Sequence, residues 1–519
     1  MRRRPLLILA AALACACKGG SSEGETETDA SETTEASATT DTETTTEGSD
    51  SDADTGTDTD TGSDTGENLD PNWPMFGHDH DNTRHNAAEE VLTADTVASL
   101  ALLWEHVGAE VTSTPAVVDG VVYFADWSGQ LYAKSAADGA EVWTIQLAPE
   151  GVPITCSPLV TEDRVYIGDM AANFYAVERE TGAVAWSALF DAHEDANFTG
   201  SAVLIGDLLV VGVASGELGK ALDDYTFRGS VLGIDADTGD ERWRVWTTED
   251  DESSGAGVSV WSSPAVDATR GLVYIGTGNA YEEPGSDRSD AILAIDYASG
   301  AIAWVAQFTE GDVYTILQPP PQGPDADIGA APNLFTLADG TAVVGVGDKA
   351  GVYAAVDRDT GDPIWSVVLT QGSHLGGVMT AAAYADGVIY TASNLWPGGF
   401  NTDNPFFPDF EDPENTSVMF ALDAEDGGVL WQTDLPSPTL GAIAVAGGVV
   451  YSGATDGTLR AFDAESGEVL WSDVPGNPMA SGQSVAGGLL LSGHGFAFIG
   501  ITGGSPGEEG GLVVYGPEG

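Results

Sequence analysis

The sequence predicts an all-β fold, an eight-bladed β-propeller with Trp repeat motifs preceded by a disordered acidic linker. Three observations predict it. A glycine followed four residues later by tryptophan recurs seven times, as in "TGDERW" and "SGEVLW". Each copy sits in a set of four alternating strands. An eighth tryptophan near the start and an unpartnered strand at the end each supply what the other lacks.

The repeat tryptophans are Trp143, Trp186, Trp243, Trp304, Trp365, Trp431 and Trp471. Most copies follow an alternating strand ending in Asp, as in "LGIDADTG" and "RAFDAESG", so a tight Asp and Gly turn joins two strands. Upstream lies another strand pair with a short turn, as in "TPAVVDGVVYFAD" and "AYADGVIYTAS". Four strands at intervals of about forty residues or more describe a propeller blade. Trp104 in "LALLWEHVG" lacks the glycine turn, while the terminal "GGLVVYG" lacks a Trp strand after it. Pairing the two completes the last blade and leaves no open edge. The repeated indole is expected to pack between blades with its N–H bonded to a carbonyl, a structural role.

Before the propeller the composition changes twice. "MRRRPLLILAAALACAC" (residues 1–17) has a basic start, a short apolar run and small residues before cysteine, which looks like a bacterial lipoprotein signal with Cys17 as the lipidated residue. Cys15 and an unlipidated secretory signal are the alternatives. The expected location is the cell envelope, at the outer membrane, periplasm or extracellular face, with membrane contact through the lipid anchor only. Residues 18–70 hold 17 acidic residues and one basic, with no apolar period, and read as an extended tether. Residues 71–519 are assigned to the propeller. Beyond the anchor region only Cys156 remains, so no disulfide framework is expected.

The formal charge of −65 excludes a nucleic-acid partner, which needs a basic footprint. It suits cations or a basic redox partner. Phosphate-loop, dinucleotide and Ser/His/Asp signatures are missing from the sequence. His78, His80 and His85 in "GHDHDNTRH" suit zinc or a hydrogen-bonded loop.

Tryptophan spacings of 39, 43, 57, 61, 61, 66 and 40 put the extra chain in blades three to six. It falls in the links between strands B and C or between D and the next A, which share one end of the ring. Long loops on a rigid scaffold carry function. Glu217, Asn279 and Lys349 follow B strands, while Trp261, Asp325 and Asp327 precede A strands, which line the channel. Meeting at the mouth, the acids and the amide make an oxygen-donor set for a hard cation. Read singly, Glu217 is also explained as a loop acid, Asn279 as a turn residue, Lys349 as a surface charge and Trp261 as channel packing.

The motifs "DADTGDERW", "GLVYIGTGN", "YTFRGSVLGIDADTG", "PDADIGAAPNLF" and "NWPMFGHDHDNTRHN" together resemble the pyrroloquinoline quinone (PQQ)-dependent dehydrogenases, most closely the polyvinyl-alcohol dehydrogenase branch. The resemblance implies Glu217 and Asn279 as ligands of a calcium or lanthanide ion that holds PQQ. It implies Asp325 as catalytic base and metal ligand, Asp327 as the extra carboxylate of lanthanide-using relatives, Trp261 beneath the quinone and Lys349 beside its reactive carbonyl. An alcohol or polyol would be oxidised, with a separate c-type cytochrome as acceptor, because no CxxCH is present. The adjacent cysteine pair of many such enzymes is missing, and "GDVYT" (Asp312 to Thr315) replaces an aromatic-acidic element. The aromatic loop carrying Trp396, Phe400, Phe406, Phe407 and Phe410 lies beside the expected mouth. The alternative is a noncatalytic scaffold similar to the propeller lipoprotein of outer-membrane β-barrel assembly; an envelope sensor or adhesin that binds calcium is a third reading.

Overall fold

Eight antiparallel sheets follow one another along the chain in a computed structural model that describes residues 71–249, 255–316, 321–396, 414–496 and 509–518. Cys17, the acidic stretch to Asp70 and the four phenylalanines of the 400–410 loop lie outside the described residues. Blade 1 sets the pattern, with strands A to D at Ala116–Val118, Val121–Ala125, Gln130–Ser135 and Glu141–Gln146. Strands B and C are mostly buried, because both their faces meet neighbouring blades, whereas strand D of blade 2, Val184–Leu189, exposes most of its residues. No helix among the described residues is long and apolar enough to cross a membrane.

The blade seams explain the Gly and Trp repeat. All eight indole N–H groups, from Trp104 to Trp471, donate to a backbone carbonyl of the following blade at 2.8–3.3 Å. The seven repeat glycines adopt φ between +69° and +77°. A Cβ on any of them would come within 2.5–3.0 Å of the previous blade's indole. Glycine is thus required twice, for the left-handed turn and for room beneath the ring.

Closure runs through the first long strand. Leu100–Gly108 pairs antiparallel with Gly510–Pro517 and becomes strand D of blade 8, beside Leu489–His494 and Ser484–Ala486. The last seam is then sealed by Trp471, whose indole donates to Leu100 O.

Residues 73–86 run along the inner strands and touch the A strand of every blade. Trp73 exchanges backbone hydrogen bonds with Val117, and Val160, Val266, Leu334, Tyr384 and Val445 donate to Pro74, His80, Asp81, Thr83 and Arg84 carbonyls. His80 Nε2 meets Leu204 O, and Asn86 Nδ2 donates to Val485 O, which completes the circuit. Arg84 is fully buried here; its guanidinium donates to Ile443 O, Gln483 O and Phe76 O and stacks over Trp73 and Phe76. Burial pushes its pKa down to about 9. This segment is a hydrogen-bonded loop: His78, His80 and His85 form no metal-ligating group among the described residues.

Candidate active site

Polar residues on the links of blades 4 and 5 converge on one cavity. Asp325 and Asp327 lie on the link into strand A of blade 5 (Asn333–Thr336) and Lys349 in the turn after its strand B (Ala342–Gly347). Their geometry is direct. Lys349 Nζ donates to Asp325 at 2.7 Å and to Asp327 at 3.3 Å, and all three side chains are buried. Backbone contacts hold the triad, since Lys349 N donates to Asp327 O at 3.1 Å. Asp325 sits at φ 59°, and the Asp312 carboxylate accepts from the amides of Asp325 (3.2 Å) and Ala326 (2.7 Å). The Asp312 side chain therefore stabilises an unfavourable left-handed backbone.

Asn279 joins from blade 4. Its backbone N–H donates to Asp327 Oδ1 at 2.6 Å, and its side-chain nitrogen to the carbonyls of Ala280 and Tyr314, which turns the amide oxygen the other way. Gly278 is required beside it, because a Cβ there would lie 2.8 Å from Asp327 Oδ1. Trp261, on the link into blade 4, lies against Gly329, where a Cβ would come 1.8 Å from the ring. Trp261, Asn279, Asp325, Asp327 and Lys349 all line one cavity of about 230 Å³.

A second cavity of about 440 Å³ occupies the channel and shares Trp261, Thr199, Leu375 and Met379 with the first. Its wall carries Thr114, Ser157, Ser201 and Ser263 in blades 1 to 4 and Ala331, Ala381 and Ala442 in blades 5 to 7, with Thr380 beside Ala381. Cys156 lines it as a buried thiol that donates to Gly168 O, and burial pushes its pKa up to about 12.

Glu217 is not brought to the wall of the smaller cavity, although Ser215 and Leu218 are. Its buried carboxylate accepts from the amides of Thr226 (3.1 Å) and Phe227 (3.0 Å) and lies 3.4 Å from His193 Nε2. His193, Asp195 and Glu217 form a set of three metal-ligating side chains, but Lys220 already holds Asp195 at 2.6 Å. Both plain surface readings are thereby replaced: Glu217 and Lys349 are interior groups.

The electrostatics are dominated by burial. Burial holds the Asp325 carboxyl up at about 8, aided by the Asp327 charge and opposed by Lys349. Burial opposes the Lys349 charge, but Asp325 and Asp327 outweigh it and keep its pKa above the usual lysine range. Burial also raises Asp312 to about 6. Two residues were not singled out from sequence. Asp290 is fully buried with neither oxygen hydrogen-bonded to described residues, and burial plus the Asp312 charge hold its pKa well above the carboxylate range. His374 lines the smaller cavity. Its one legible signal was a lone histidine in a D-to-A link; Asp290 had none.

The sequence matches the model of the PQQ_2 family, described as outer membrane protein assembly factor BamB, over residues 88–354, 227–394 and 348–500. The chain is a PQQ_2-family protein. This PQQ_2 chain is 31% identical to a polyvinylalcohol dehydrogenase of Pseudomonas sp over 52% of its length and 46% of the relative's. It is 27% identical to a polyvinylalcohol dehydrogenase of Sphingopyxis sp. (strain 113P3), over 75% of the chain and 65% of the relative. The PQQ_2 chain thus spans about half to two thirds of the length of these curated relatives. Among solved structures, the quinohemoprotein alcohol dehydrogenase of Comamonas testosteroni superposes with a TM-score of 0.70 at 20% identity, covering 86% of this chain and 81% of the other. BamB of Moraxella catarrhalis superposes with a TM-score of 0.54 at 16% identity, covering 80% and 98%. At these identities the structural likeness shows the propeller fold.

Proposed function

We propose that this protein is an exported, lipid-anchored quinoprotein-type dehydrogenase that oxidises an alcohol or polyol, with PQQ and a calcium or lanthanide ion. The observation that carries the reading is the buried Asp325, poised against Lys349 at 2.7 Å in a cavity walled by the Trp261 ring. The two polyvinylalcohol dehydrogenase relatives support it.

The residues present fit the cofactor. Trp261 offers a flat aromatic wall with Gly329 clearing its edge, and Asn279, Asp325 and Asp327 offer oxygens suited to a hard cation. Lys349 offers a fixed positive charge. Glu217, committed to the Thr226 and Phe227 amides, stands behind this wall. A bound quinone supplies the acceptor for a hydride, that is two electrons and one proton from the carbinol carbon. Asp325 removes the hydroxyl proton, and the alcohol leaves as a ketone or aldehyde. Lys349 holds Asp325 oriented and offsets the negative charge that its ionisation adds. A separate c-type cytochrome, drawn to an acidic surface, is the proposed electron acceptor.

The test is to mix the purified protein with PQQ and calcium or lanthanum, then follow quinone absorbance and alcohol-dependent dye reduction. Binding and turnover that Asp325→Ala abolishes support the reading; turnover that survives the substitution removes the base. The description of the family model and the BamB likeness favour a second reading, a noncatalytic scaffold, which failure to bind PQQ would support.

A further inference from the structure

His374 lies on the link between strand D of blade 5 (Pro363–Val368) and strand A of blade 6 (Ala383–Ala385). That link is laid onto the turn that carries Lys349. Val378 N donates to Asp348 O at 2.8 Å, and Gly377 sits at φ 69°, where a Cβ would come 2.3 Å from Lys349 O. At Gly372 a Cβ would come 2.4 Å from Ala350 Cα. Two glycines thus let the backbone approach so closely that His374 and Lys349 are positioned as one unit.

The imidazole is 8% exposed, and what remains open faces the cavity shared with Asp325 and Trp261. Its ring nitrogens have no hydrogen-bond partner among the described residues. Burial, and then the Lys349 charge, push its pKa down to about 4, so it is a neutral ring with one N–H and one lone pair. The ring nitrogens are not among the enclosed polar atoms left without a partner, so they are reachable from the cavity that His374 lines, and a ligand there can hydrogen-bond to them. Of the charged groups on the wall, Lys349 donates to both aspartates and Asp327 accepts from Asn279 N.

We infer that His374 is a second polar contact to the substrate, donating its N–H to the alcohol oxygen whose proton Asp325 takes. This deepens the dehydrogenase reading and rests on it. The oxygen gains negative charge as its proton leaves, so a donor held at that atom strengthens toward the transition state. The proton still ends on Asp325 and the hydride on the quinone; His374 gives up nothing.

The experiment compares His374→Leu and His374→Gln in the PQQ- and calcium-loaded protein, with PQQ affinity measured separately by tryptophan fluorescence. His374→Leu is expected to lower kcat/KM for a secondary alcohol about 10–100-fold while leaving PQQ affinity within about twofold, and His374→Gln, which keeps an N–H donor, to recover most of the loss. In the wild-type protein the His374 imidazole nitrogen resonances are expected to shift when alcohol is added. An unchanged kcat/KM in His374→Leu, or a loss confined to PQQ affinity, overturns the role of His374 and leaves the dehydrogenase standing. A loaded wild-type protein without alcohol turnover overturns both.

Discussion

Lys349 and Asp325 form a buried ion pair at 2.7 Å, with Asp327 sharing the same ammonium at 3.3 Å. One lysine therefore answers two interior carboxylates. Above about pH 8, where Asp325 is ionised, removing it leaves both uncompensated, so Lys349→Met is expected to destabilise the propeller there by about 3–5 kcal/mol. Adding Asp325→Asn is expected to restore part of that loss. Urea denaturation of the two single variants and the double variant measures the coupling, and purely additive losses would contradict it.

The rate of alcohol oxidation is expected to depend on ionised Asp325. In the metal-free protein its pKa is raised to about 8, chiefly by burial, so the base is mostly protonated below that pH. A cation held by Asp325 is expected to lower that value and the acid limb of the rate with it. The negative charge of Asp327 beside it helps hold the Asp325 pKa up. Asp327→Asn should consequently move the Asp325 midpoint to lower pH, which carboxyl carbon-13 NMR of the metal-free protein reads directly.

Gly329 is the clearance for Trp261. Gly329→Ala brings a Cβ within 1.8 Å of the ring, so the indole or the backbone must move. Overpacking of this kind costs about 1–3 kcal/mol. Tryptophan emission is expected to shift and PQQ titration to weaken together; unchanged emission would show that Trp261 has kept its place.

Asp290 offers a linkage test. Its folded pKa lies well above the usual range, so the folded protein keeps a proton that the unfolded chain releases above about pH 4. Its contribution to stability is accordingly lost as pH rises from there toward the folded value. Asp290→Asn removes that dependence. The variant should melt higher than wild type at pH 8 and nearly the same at pH 4, as differential scanning calorimetry will show.

The blade architecture was legible because each blade repeats one local pattern and meets only its neighbours. The turn before Trp304 needs a glycine for its own dihedral angle, and the following blade's Gly361 needs to be small for the Trp304 ring. Both demands recur at fixed spacing, so sequence alone determined the blade count, the Trp seams and the Trp104 closure. It also grouped Asn279, Asp325, Asp327, Lys349 and Trp261, which line one cavity, with Glu217, which does not reach that wall.

Only the tertiary structure decided how their charges are spent. Lys349 reaches Asp325 across a blade turn, Glu217 turns onto the Thr226 and Phe227 amides, and His374 joins the wall because Gly377 and Gly372 let its link settle on the Lys349 turn. Arg84 and Gln483, 399 residues apart, meet in a buried hydrogen bond. Such pairings follow from ring closure and from the burial of individual polar atoms, and neither leaves a periodic trace along the chain. Periodicity specifies which face a residue joins; the partner that satisfies its charge is set by three-dimensional proximity in a low-dielectric interior.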